Sequence, residues 1–184
     1  MSVPTHQPLD KNAQTRQPRE LLLIWWSVTD GTRQLTLAAS AAAQAAVDGE
    51  SLVQVRTLRC DEATPADLLA ADAYLFATPE MLGSMAGRMK DLFDRCYYPV
   101  LDGLAGRAYA LMVCAGSDGQ GAVRQLQRIC TGWRLRPVAE PLVVCTEAQT
   151  PQAITARKQI LPGQLEQAEQ LGASLAAGLA LGLW

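Results

Sequence analysis

Apolar runs alternate with helical patterns along the chain from about residue 20 onward. A short, continuous apolar run bounded by turn residues is typical of a strand buried on both faces of a sheet. Five strands are predicted: "LLLIWW" (21–26), "SLVQVRTL" (51–58), "AYLFA" (73–77), "AYALMVCA" (108–115), and a fifth made of "RLRPV" and "PLVVC" (134–138 and 141–145) with an interruption at Glu140-Pro141. The second run alternates with period 2, which favours a position nearer the edge of the sheet.

Helical spacing fills the segments between these strands. The predicted helices are "TRQLTLAASAAAQAAV" (32–47), "TPADLLA" (64–70), residues 84–98, "AVRQLQRICT" (122–131), and a last helix that runs to the C-terminus. Thr64 is the predicted N-cap of the second helix, with Pro65 at its first position. The last helix has one apolar stripe, formed by Leu165, Ala168, Leu171, Leu175 and Leu179.

Strands that alternate with helices predict an α/β fold, in which a parallel sheet carries helices on both faces. For a chain of this length, we expect a flavodoxin-like three-layer sandwich with five parallel strands in the order 2-1-3-4-5. Residues 20–184 would form this single domain, and residues 1–19 a flexible N-terminal tail. In such a fold, ligands bind at the carboxyl ends of the strands, where the winding of the sheet reverses.

Composition narrows the functional classes. The 184 residues are 49% hydrophobic and carry a formal net charge of −2, which favours neither a nucleic acid nor a membrane surface as partner. No apolar stretch approaches the ~20 residues that cross a bilayer, and residues 1–20 lack the apolar core of a secretory signal. Five cysteines without a CxxC motif are typical of a reduced cytoplasm, so we expect a cytoplasmic protein. We expect no metal site, because the only histidine, His6, lies in the polar tail.

Three loops follow the strands whose ends should meet at the ligand site. They are "SVTDGT" (27–32), "TPEMLGSM" (78–85) and "AGSDGQG" (115–121), the strand-to-helix turns richest in glycine and hydroxyl groups. In the first loop, the hydroxyls of Ser27, Thr29 and Thr32 and the backbone N–H groups of a helix start are suited to a phosphate. The alternative is a plain helix cap, and the loop taken alone does not decide between the two. It matches neither the Walker motif nor the GxGxxG fingerprint.

The second and third loops are suited to a flat heterocycle. Pro79 makes the second loop rigid, Gly83 permits a bend, and Met81 and Leu82 offer apolar surface. Glycines at 116, 119 and 121 let bare backbone approach the edge of a ring. A ring between these loops with its phosphate in the first loop describes flavin mononucleotide (FMN).

The segment "ATPEMLGSMAGRMKDLFDR" (77–95) resembles the corresponding segment of the flavodoxin-like NAD(P)H-dependent FMN reductase and quinone reductase family. "SVTDGTRQL" resembles the phosphate loop of flavodoxin-family proteins, and "CAGSDGQGAVRQ" their third flavin loop. The resemblance covers about residues 20–184. It implies an oxidoreductase that passes electrons from NAD(P)H through FMN to a quinone, a flavin or a similar small-molecule acceptor.

The resemblance also implies the cofactor-binding residues. Those around the phosphate would be Ser27, Thr29, Asp30, Gly31 and Thr32; those along the ring and ribityl chain Thr78, Pro79, Glu80, Met81, Leu82 and Gly83; and those at the other ring edge Ala115, Gly116, Ser117, Asp118, Gly119 and Gly121. Lys90, Phe93, Asp94 and Arg95 are interpreted as packing and ion-pair residues. No catalytic residue is assigned, since Asp118 and Glu80, the nearest acid–base candidates, are expected to have structural roles.

Asp30 departs from the family, which usually has glycine at this position. Aspartate tolerates a left-handed backbone and caps helices well. A carboxylate near a phosphate is nevertheless unfavourable, by ~1 kcal/mol or more per unit charge at 4 Å. We therefore predict that Asp30 accepts a hydrogen bond from the N–H of Thr32 or Arg33 and is turned away from the phosphate, with Arg33 able to offset its charge. A second departure is a short connection before the fourth strand, "CYYPVLDGLAGR", where quinone reductases often carry a long insertion.

Two other functions stay open. The first is a non-enzymatic flavodoxin-type electron carrier, which would be strongly acidic and would hold the ring between aromatic side chains. The net charge here is only −2, and the three loops contain no aromatic residue. A cofactor-free flavodoxin-like binding or regulatory domain is the other alternative, and Asp30 is the argument for it. The apolar end "SLAAGLALGLW", in which Trp184 would otherwise be exposed, predicts a homodimer or homotetramer.

Overall fold

The computed structural model describes residues 18–49 and 53–184. Most of the predicted N-terminal tail, residues 1–17, lies outside the described residues, as do Ser51 and Leu52 of the predicted second strand. The first strand begins at Arg19, slightly before the apolar run that predicted it.

Parallel strands form the centre of the sheet in the predicted arrangement. The strands are β1 (Arg19–Trp25), β2 (Val53–Arg59), β3 (Ala73–Met81), β4 (Ser84–Met85), β5 (Ala108–Ala115), β6 (Arg136–Pro137) and β7 (Leu142–Cys145). Their order is β2-β1-β3-β5, and both β6 and β7 pair with β5. The short strands β6 and β7 are thus the two halves of the interrupted fifth strand, which confirms the predicted fold class.

The helices are α1 (Gly31–Ala46), α2 (Pro65–Ala70), α3 (Gly87–Cys96), α4 (Gln120–Gly132), α5 (Pro151–Thr155) and α6 (Pro162–Leu181). Thr64 caps α2 as predicted, and Asp67 completes the capping box. The predicted start of the third helix at residue 84 was wrong, because Ser84 and Met85 pair with the end of β3 in an antiparallel hairpin. The sequence analysis missed α5, a five-residue helix too short to show hydrophobic periodicity.

Two hydrophobic cores cover the two faces of the sheet. In β1, Leu21 and Leu23 belong to the core beneath α1 and α6, whereas Leu22 and Ile24 belong to the core beneath α2, α3 and α4. All four side chains are completely buried. Alternate residues of a strand point to opposite faces, so burial of both faces explains why the run has no polar position.

The signature helix α3 has the structural roles that were expected of it. Lys90 pairs with Asp94 at 2.6 Å, and Arg95 pairs with Asp91 at 2.8 Å. The buried ring of Phe93 packs between Phe76 and Trp133, with centroid distances of 5.2 and 5.0 Å. The prediction of packing and ion-pair roles in this segment is confirmed.

The C-terminal residue packs against its own chain. The indole of Trp184 packs against the core beneath α1 and α6, directly over Gly178 of α6. Trp184 is thus half-buried within its own chain, and the oligomer that the apolar C-terminal end predicts stays a prediction. Within the described residues, no helix is both long and apolar enough to span a membrane.

Candidate functional site

A cavity of about 460 Å³ lies at the carboxyl ends of β1, β3, β5 and β7. All three predicted loops contribute to its wall. The predicted cofactor-binding residues that line it are Ser27, Thr29, Gly31, Thr32, Pro79, Glu80, Met81, Ala115 and Gly116. Those that do not line it are Asp30, Thr78, Leu82, Gly83, Ser117, Asp118, Gly119 and Gly121. The topological rule for parallel sheets thus places the cavity where the sequence predicted it.

The first loop ends in the N-terminus of a well-formed helix. Helix α1 begins at Gly31, and its first backbone N–H groups have no carbonyl partner within the helix. The hydroxyl of Thr32 is buried and has no hydrogen-bond partner within the described part of the chain. A Cβ atom on Gly31 would lie 2.6 Å from Cys114 Sγ, so a larger residue there would have to displace the Cys114 side chain. The loop therefore presents helix N–H groups and an unpartnered hydroxyl at the cavity.

Asp30 adopts the left-handed backbone that the sequence analysis anticipated, with φ 69° and ψ −10°. Its carboxylate, however, makes no capping hydrogen bond to the helix, so the predicted bond to the N–H of Thr32 or Arg33 was wrong. Asp30 does not line the cavity. Its carboxylate accepts hydrogen bonds from Arg157 (Nη2 at 2.7 Å), from Arg33 (Nη1 at 3.3 Å) and from Gln34 (Nε2 at 3.3 Å).

These partners change the electrostatic role of Asp30. Partial burial would raise the pKa of its carboxyl, but the hydrogen bonds from Arg157 and Arg33 outweigh burial and hold the pKa below its ordinary value. The carboxylate is thus ionised at neutral pH and offset by two guanidinium groups. The repulsion of a phosphate that the sequence suggested is correspondingly reduced.

Asp30→Asn is expected to bind FMN about twofold more tightly than the wild type at low salt. The change removes a negative charge whose repulsion of a phosphate, about 1 kcal/mol when uncompensated, is already reduced by Arg157 and Arg33, and asparagine tolerates the same left-handed backbone. Titration by fluorescence quenching at two ionic strengths measures the gain, which should shrink as salt screens it. Asp30→Gly, which also relaxes the backbone, serves as the comparison. Weaker binding by both variants at every ionic strength would make Asp30 a favourable part of the site.

The second loop is a tight hairpin between β3 and β4. Leu82 and Gly83 form its tip with φ values of 53° and 71°, and the Leu82 side chain is fully exposed. Leu82 does not line the cavity, whereas Met81 does, and the contact of Leu82 with a ring stays a prediction. Thr78 is completely buried, and its hydroxyl accepts from the N–H of Ala86 at 3.1 Å. Thr78 thus holds the base of the hairpin instead of lining the cavity.

Glu80 joins the second loop to the third. Its Oε2 accepts a hydrogen bond from the backbone N–H of Gly119 at 2.9 Å, at the start of α4. Its Oε1 is buried without a hydrogen-bond partner among the described residues. A Cβ on Gly121 would lie 2.0 Å from the carbonyl oxygen of Gly83, so Gly121 lets the hairpin dock on α4. Gly119 and Gly121 thus hold the hairpin in position and do not themselves line the cavity.

A fourth segment, which we call the β7 loop (residues 146–160), completes the cavity and was missed by the sequence analysis. Its cavity-lining residues are Thr146, Ala148, Ile154, Thr155 and Lys158. The N–H of Lys158 donates to the carbonyl of Thr29 at 2.8 Å, and the Gln34 side chain donates to the carbonyl of Lys158 at 2.7 Å. The available signal was topological, since the end of the fifth strand lies at the same edge of the sheet.

Lys158 brings a positive charge to the first loop. Its stem packs against Gly31, and its ammonium donates to the backbone carbonyls of Ala153, Ile154 and Ala156 at the end of α5. Arg33 and Arg157 flank the same loop through Asp30. Three cations and one carboxylate therefore surround the start of α1, a balance that favours an anionic ligand.

Lys158→Met is expected to weaken FMN binding about tenfold at low salt. The variant keeps an unbranched stem beside Gly31 but removes the ammonium, so it tests the charge near the helix start. Lys158→Arg, which keeps the charge, is the matched control and should lose much less. Salt-dependent calorimetric titration is the measurement; an unchanged affinity in Lys158→Met would mean that this ammonium serves only α5.

Neither acid–base candidate is supported as a catalytic group by its position. Asp118 is exposed and lies outside the cavity wall, and Glu80 is engaged by Gly119. Across residues 18–49 and 53–184, no group of three or more histidine, cysteine, aspartate or glutamate residues is arranged to hold a metal ion. Cys114 lines the cavity, but burial raises the pKa of its thiol to about 11, which keeps it protonated at neutral pH.

Solved structures of similar shape share this architecture. An oxidoreductase from Corynebacterium diphtheriae has 22% identity and a TM-score of 0.67, over 91% of this chain and 99% of that one. A flavodoxin from Streptococcus pneumoniae has 18% identity and a TM-score of 0.67, over 86% and 98% of the two chains. A WrbA-like flavodoxin from Agrobacterium tumefaciens has 16% identity and a TM-score of 0.64, over 89% and 98%. Such low identities establish the flavodoxin-like fold and nothing finer.

The sequence comparisons are more specific. No curated protein matches the chain in sequence. The family model described as NADPH-dependent FMN reductase matches residues 32–150, which is well over half of the 184-residue chain and contains the second and third loops entirely. The match begins at Thr32, the last residue of the first loop, and extends into the β7 loop as far as residue 150, so it includes the parts of the cavity wall from the second and third loops. This chain therefore belongs to the NADPH-dependent FMN reductase family and is a flavodoxin-like, FMN-binding oxidoreductase.

Proposed function

We propose that the protein holds FMN in the cavity between its loops and passes electrons from NAD(P)H to a quinone, a flavin or a similar acceptor. One observation carries this proposal. Thr32 and Glu80 both line the cavity, and each has a buried polar atom, the hydroxyl of Thr32 and Oε1 of Glu80, without a hydrogen-bond partner within residues 18–49 and 53–184. Buried polar atoms are normally hydrogen-bonded, so this pair points to a ligand with polar groups at both ends.

FMN has the groups that the two atoms require. Its phosphate accepts hydrogen bonds, which the Thr32 hydroxyl and the first N–H groups of α1 can donate. Its ring carries an imide N–H, which can donate a hydrogen bond to a carboxylate oxygen such as that of Glu80. Pro79, Met81 and Ala115 supply apolar wall between the two ends. The residues present therefore fit the cofactor from its phosphate to its ring.

Bound FMN would supply the redox chemistry, accepting and releasing two electrons. The chain itself would bind the phosphate at the first loop, hold the ring between the hairpin and the third loop, and limit the access of water. Glu80 would fix the ring's orientation while its other oxygen keeps the hairpin on α4. No side chain is assigned a proton-transfer role, so catalysis by positioning and electrostatics is proposed.

The test compares FMN with FAD. The FMN-free full-length chain should bind FMN more tightly, because the β7 loop and the first loop enclose a site suited to a terminal phosphate. Fluorescence titration with each flavin, together with the absorbance spectrum of the purified protein, provides the measurement. Equal or tighter binding of FAD would contradict the choice of FMN, and failure to bind either flavin would favour a cofactor-free domain.

An FMN-loaded protein still has two possible roles. Oxidation of NAD(P)H with a quinone or free flavin as acceptor would establish the reductase; FMN binding without such turnover would favour the electron carrier. The net charge of −2 supports the reductase, because carriers of this fold are expected to be strongly acidic.

Two further proposals concern the protein's surroundings. A cytoplasmic location is supported by the five cysteines, all of which are free thiols. A homodimer or homotetramer is supported by Leu181 and Leu183, which are 75% and 61% exposed at the C-terminal end. Sedimentation velocity at micromolar concentration tests the latter, and a clean monomer would contradict it.

A further inference from the structure

The β7 loop runs along the cavity from the third loop to the first. At one end, the N–H of Ala148 donates to the carbonyl of Gly116 at 3.1 Å. At the other end, the N–H of Lys158 donates to the carbonyl of Thr29 at 2.8 Å. Between these two attachments, Ile154 lines the cavity. A ligand in the cavity therefore lies beside a segment that is fastened at its two ends.

The middle of the β7 loop is weakly attached to the rest of the fold. Helix α5, which occupies it, buries none of its residues. Within residues 18–49 and 53–184, every hydrogen bond made by residues 149–156 is to another residue of the same loop. A segment with so few buried contacts can open locally without disturbing the core.

One end of the loop is held to α1 by polar contacts of Asp30, Gln34, Arg157 and Lys158, which we call the clasp. Arg157 donates to Asp30 Oδ2 from Nε at 3.0 Å and from Nη2 at 2.7 Å. Gln34 donates to the carbonyl of Lys158 at 2.7 Å and accepts from the N–H of Ile160 at 3.3 Å. The Arg157 side chain is 77% exposed, and ion pairs this exposed stabilise a structure only slightly. The clasp therefore favours the attached position of the loop but can open.

Two apolar side chains of the cavity wall remain exposed. Val28 of the first loop and Ile154 of the β7 loop both line the cavity, yet they are 60% and 53% exposed. A ligand that fills the cavity would remove part of this apolar surface from water. Ligand binding and attachment of the β7 loop would then stabilise each other.

We propose that the β7 loop is a movable cover of the FMN cavity and that Arg157 is the positioning residue that keeps it closed by holding Asp30. The inference rests on the proposed function for the identity of the ligand. Arg157 does not line the cavity, so it acts on the flavin through the position of the loop. FMN enters and leaves when the clasp opens, so a looser clasp speeds both association and dissociation.

The experiment measures the two rate constants separately. The FMN-free full-length chain is mixed with FMN in a stopped-flow instrument, and the quenching of flavin fluorescence is followed at several FMN concentrations. The slope and intercept of the observed rate against FMN concentration give the association and dissociation rate constants. In Arg157→Gln, we expect both constants to rise about threefold, with a Kd within about twofold of the wild type.

Two further variants separate the clasp from simple attraction of the phosphate. Arg33→Gln removes an equal charge from the same carboxylate but leaves the β7 loop attached, so association should slow and dissociation should quicken. Gln34→Met removes hydrogen bonds of the clasp without changing the charge, so both constants should rise about threefold. If Arg157→Gln slows association as Arg33→Gln does, or leaves both constants unchanged, the proposed role of Arg157 is wrong.

Limited proteolysis tests the clasp without flavin. Trypsin should cleave the FMN-free chain after Lys158 only when the loop detaches, because the backbone of Lys158 is hydrogen-bonded on both sides. In Arg157→Gln and Gln34→Met, we expect this cleavage to quicken about threefold relative to cleavage after the exposed Arg128 of α4. Circular dichroism confirms that both variants fold. Unchanged cleavage in both would overturn the proposal, since the clasp would not hold the loop.

Failure of this inference differs from failure of the proposed function. If FMN binds but neither Arg157→Gln nor Gln34→Met raises the two rate constants together, the cover is wrong and the proposed function stands. If the chain takes up no FMN, the proposed function fails, and the proteolysis decides the inference alone. Faster cleavage after Lys158 in both variants then supports a clasped cover over a cavity for another ligand, and unchanged cleavage overturns it.

Discussion

Gly172→Ala is expected to lower the free energy of unfolding by about 2 kcal/mol or more, in the range measured for overpacked cores. A Cβ on Gly172 would lie 2.0 Å from the carbonyl oxygen of Ala39 and 2.8 Å from its Cα. These are backbone atoms of α1, so the contact cannot be relieved by a side-chain rotation. The two helices would have to separate over the core that covers one face of the sheet, which contains Leu35, Leu75 and Leu175.

The same helix provides a matched control. Gly163 also lies in α6, and a Cβ there would meet no atom within 4 Å. Gly163→Ala should therefore be neutral or stabilising by up to about 1 kcal/mol, since alanine has the higher helix propensity. Urea unfolding followed by circular dichroism compares the two variants. If Gly172→Ala unfolds within about 0.5 kcal/mol of the wild type, within the ordinary effect of a surface change, the close crossing of α1 and α6 is not needed for stability.

Gly121→Ala is expected to weaken FMN binding about 10- to 100-fold while changing the stability of the chain less than Gly172→Ala does. The added Cβ would lie 2.0 Å from the carbonyl oxygen of Gly83 and 3.3 Å from Glu80 Oε1. The hairpin between β3 and β4 must then move away from α4, which breaks the Glu80–Gly119 hydrogen bond. Because β4 is only two residues long and lies at the periphery, the rest of the fold can tolerate this movement.

Gly87 supplies the control for this second variant. It lies at the start of α3, close in sequence to the hairpin, and a Cβ there would have no atom within 4 Å. Gly87→Ala should leave FMN affinity nearly unchanged and, like Gly163→Ala, should be neutral or stabilising by up to about 1 kcal/mol. Titration with FMN and urea unfolding of both variants separate the two effects. An FMN affinity of Gly121→Ala equal to that of the wild type would show that the docked hairpin is not part of the site.

Much of the fold followed from local pattern. Continuous apolar runs such as 21–26 and 108–115 occur because helices cover both faces of a parallel sheet, and the order of the strands followed from their alternation with helices. The three loops were identified because a parallel sheet brings the carboxyl ends of its strands to one edge. What pattern did not reveal was the hairpin at 81–84 and the short helix α5, since each is too short for a periodic signal.

The roles of individual residues within the loops depended on packing. The sequence placed Thr78, Leu82 and Gly121 at the cofactor because they belong to the family's segments. In the structure, Thr78 holds the hairpin base, Leu82 faces solvent, and Gly121 makes room for Gly83. Sequence identifies which loop reaches a site, but the direction of each side chain is set by backbone angles and neighbours that local pattern does not contain.

Asp30 shows which properties of a residue follow from the local sequence and which depend on the tertiary structure. The sequence by itself determined that this residue follows the first strand, precedes a helix and can adopt a left-handed backbone, because those are local properties. Only the tertiary structure decided what its carboxylate does, because its strongest partner, Arg157, lies 127 residues away in the β7 loop. The charge that seemed out of place beside a phosphate is held by two guanidiniums, and ion pairs between distant segments exist only once the chain has folded.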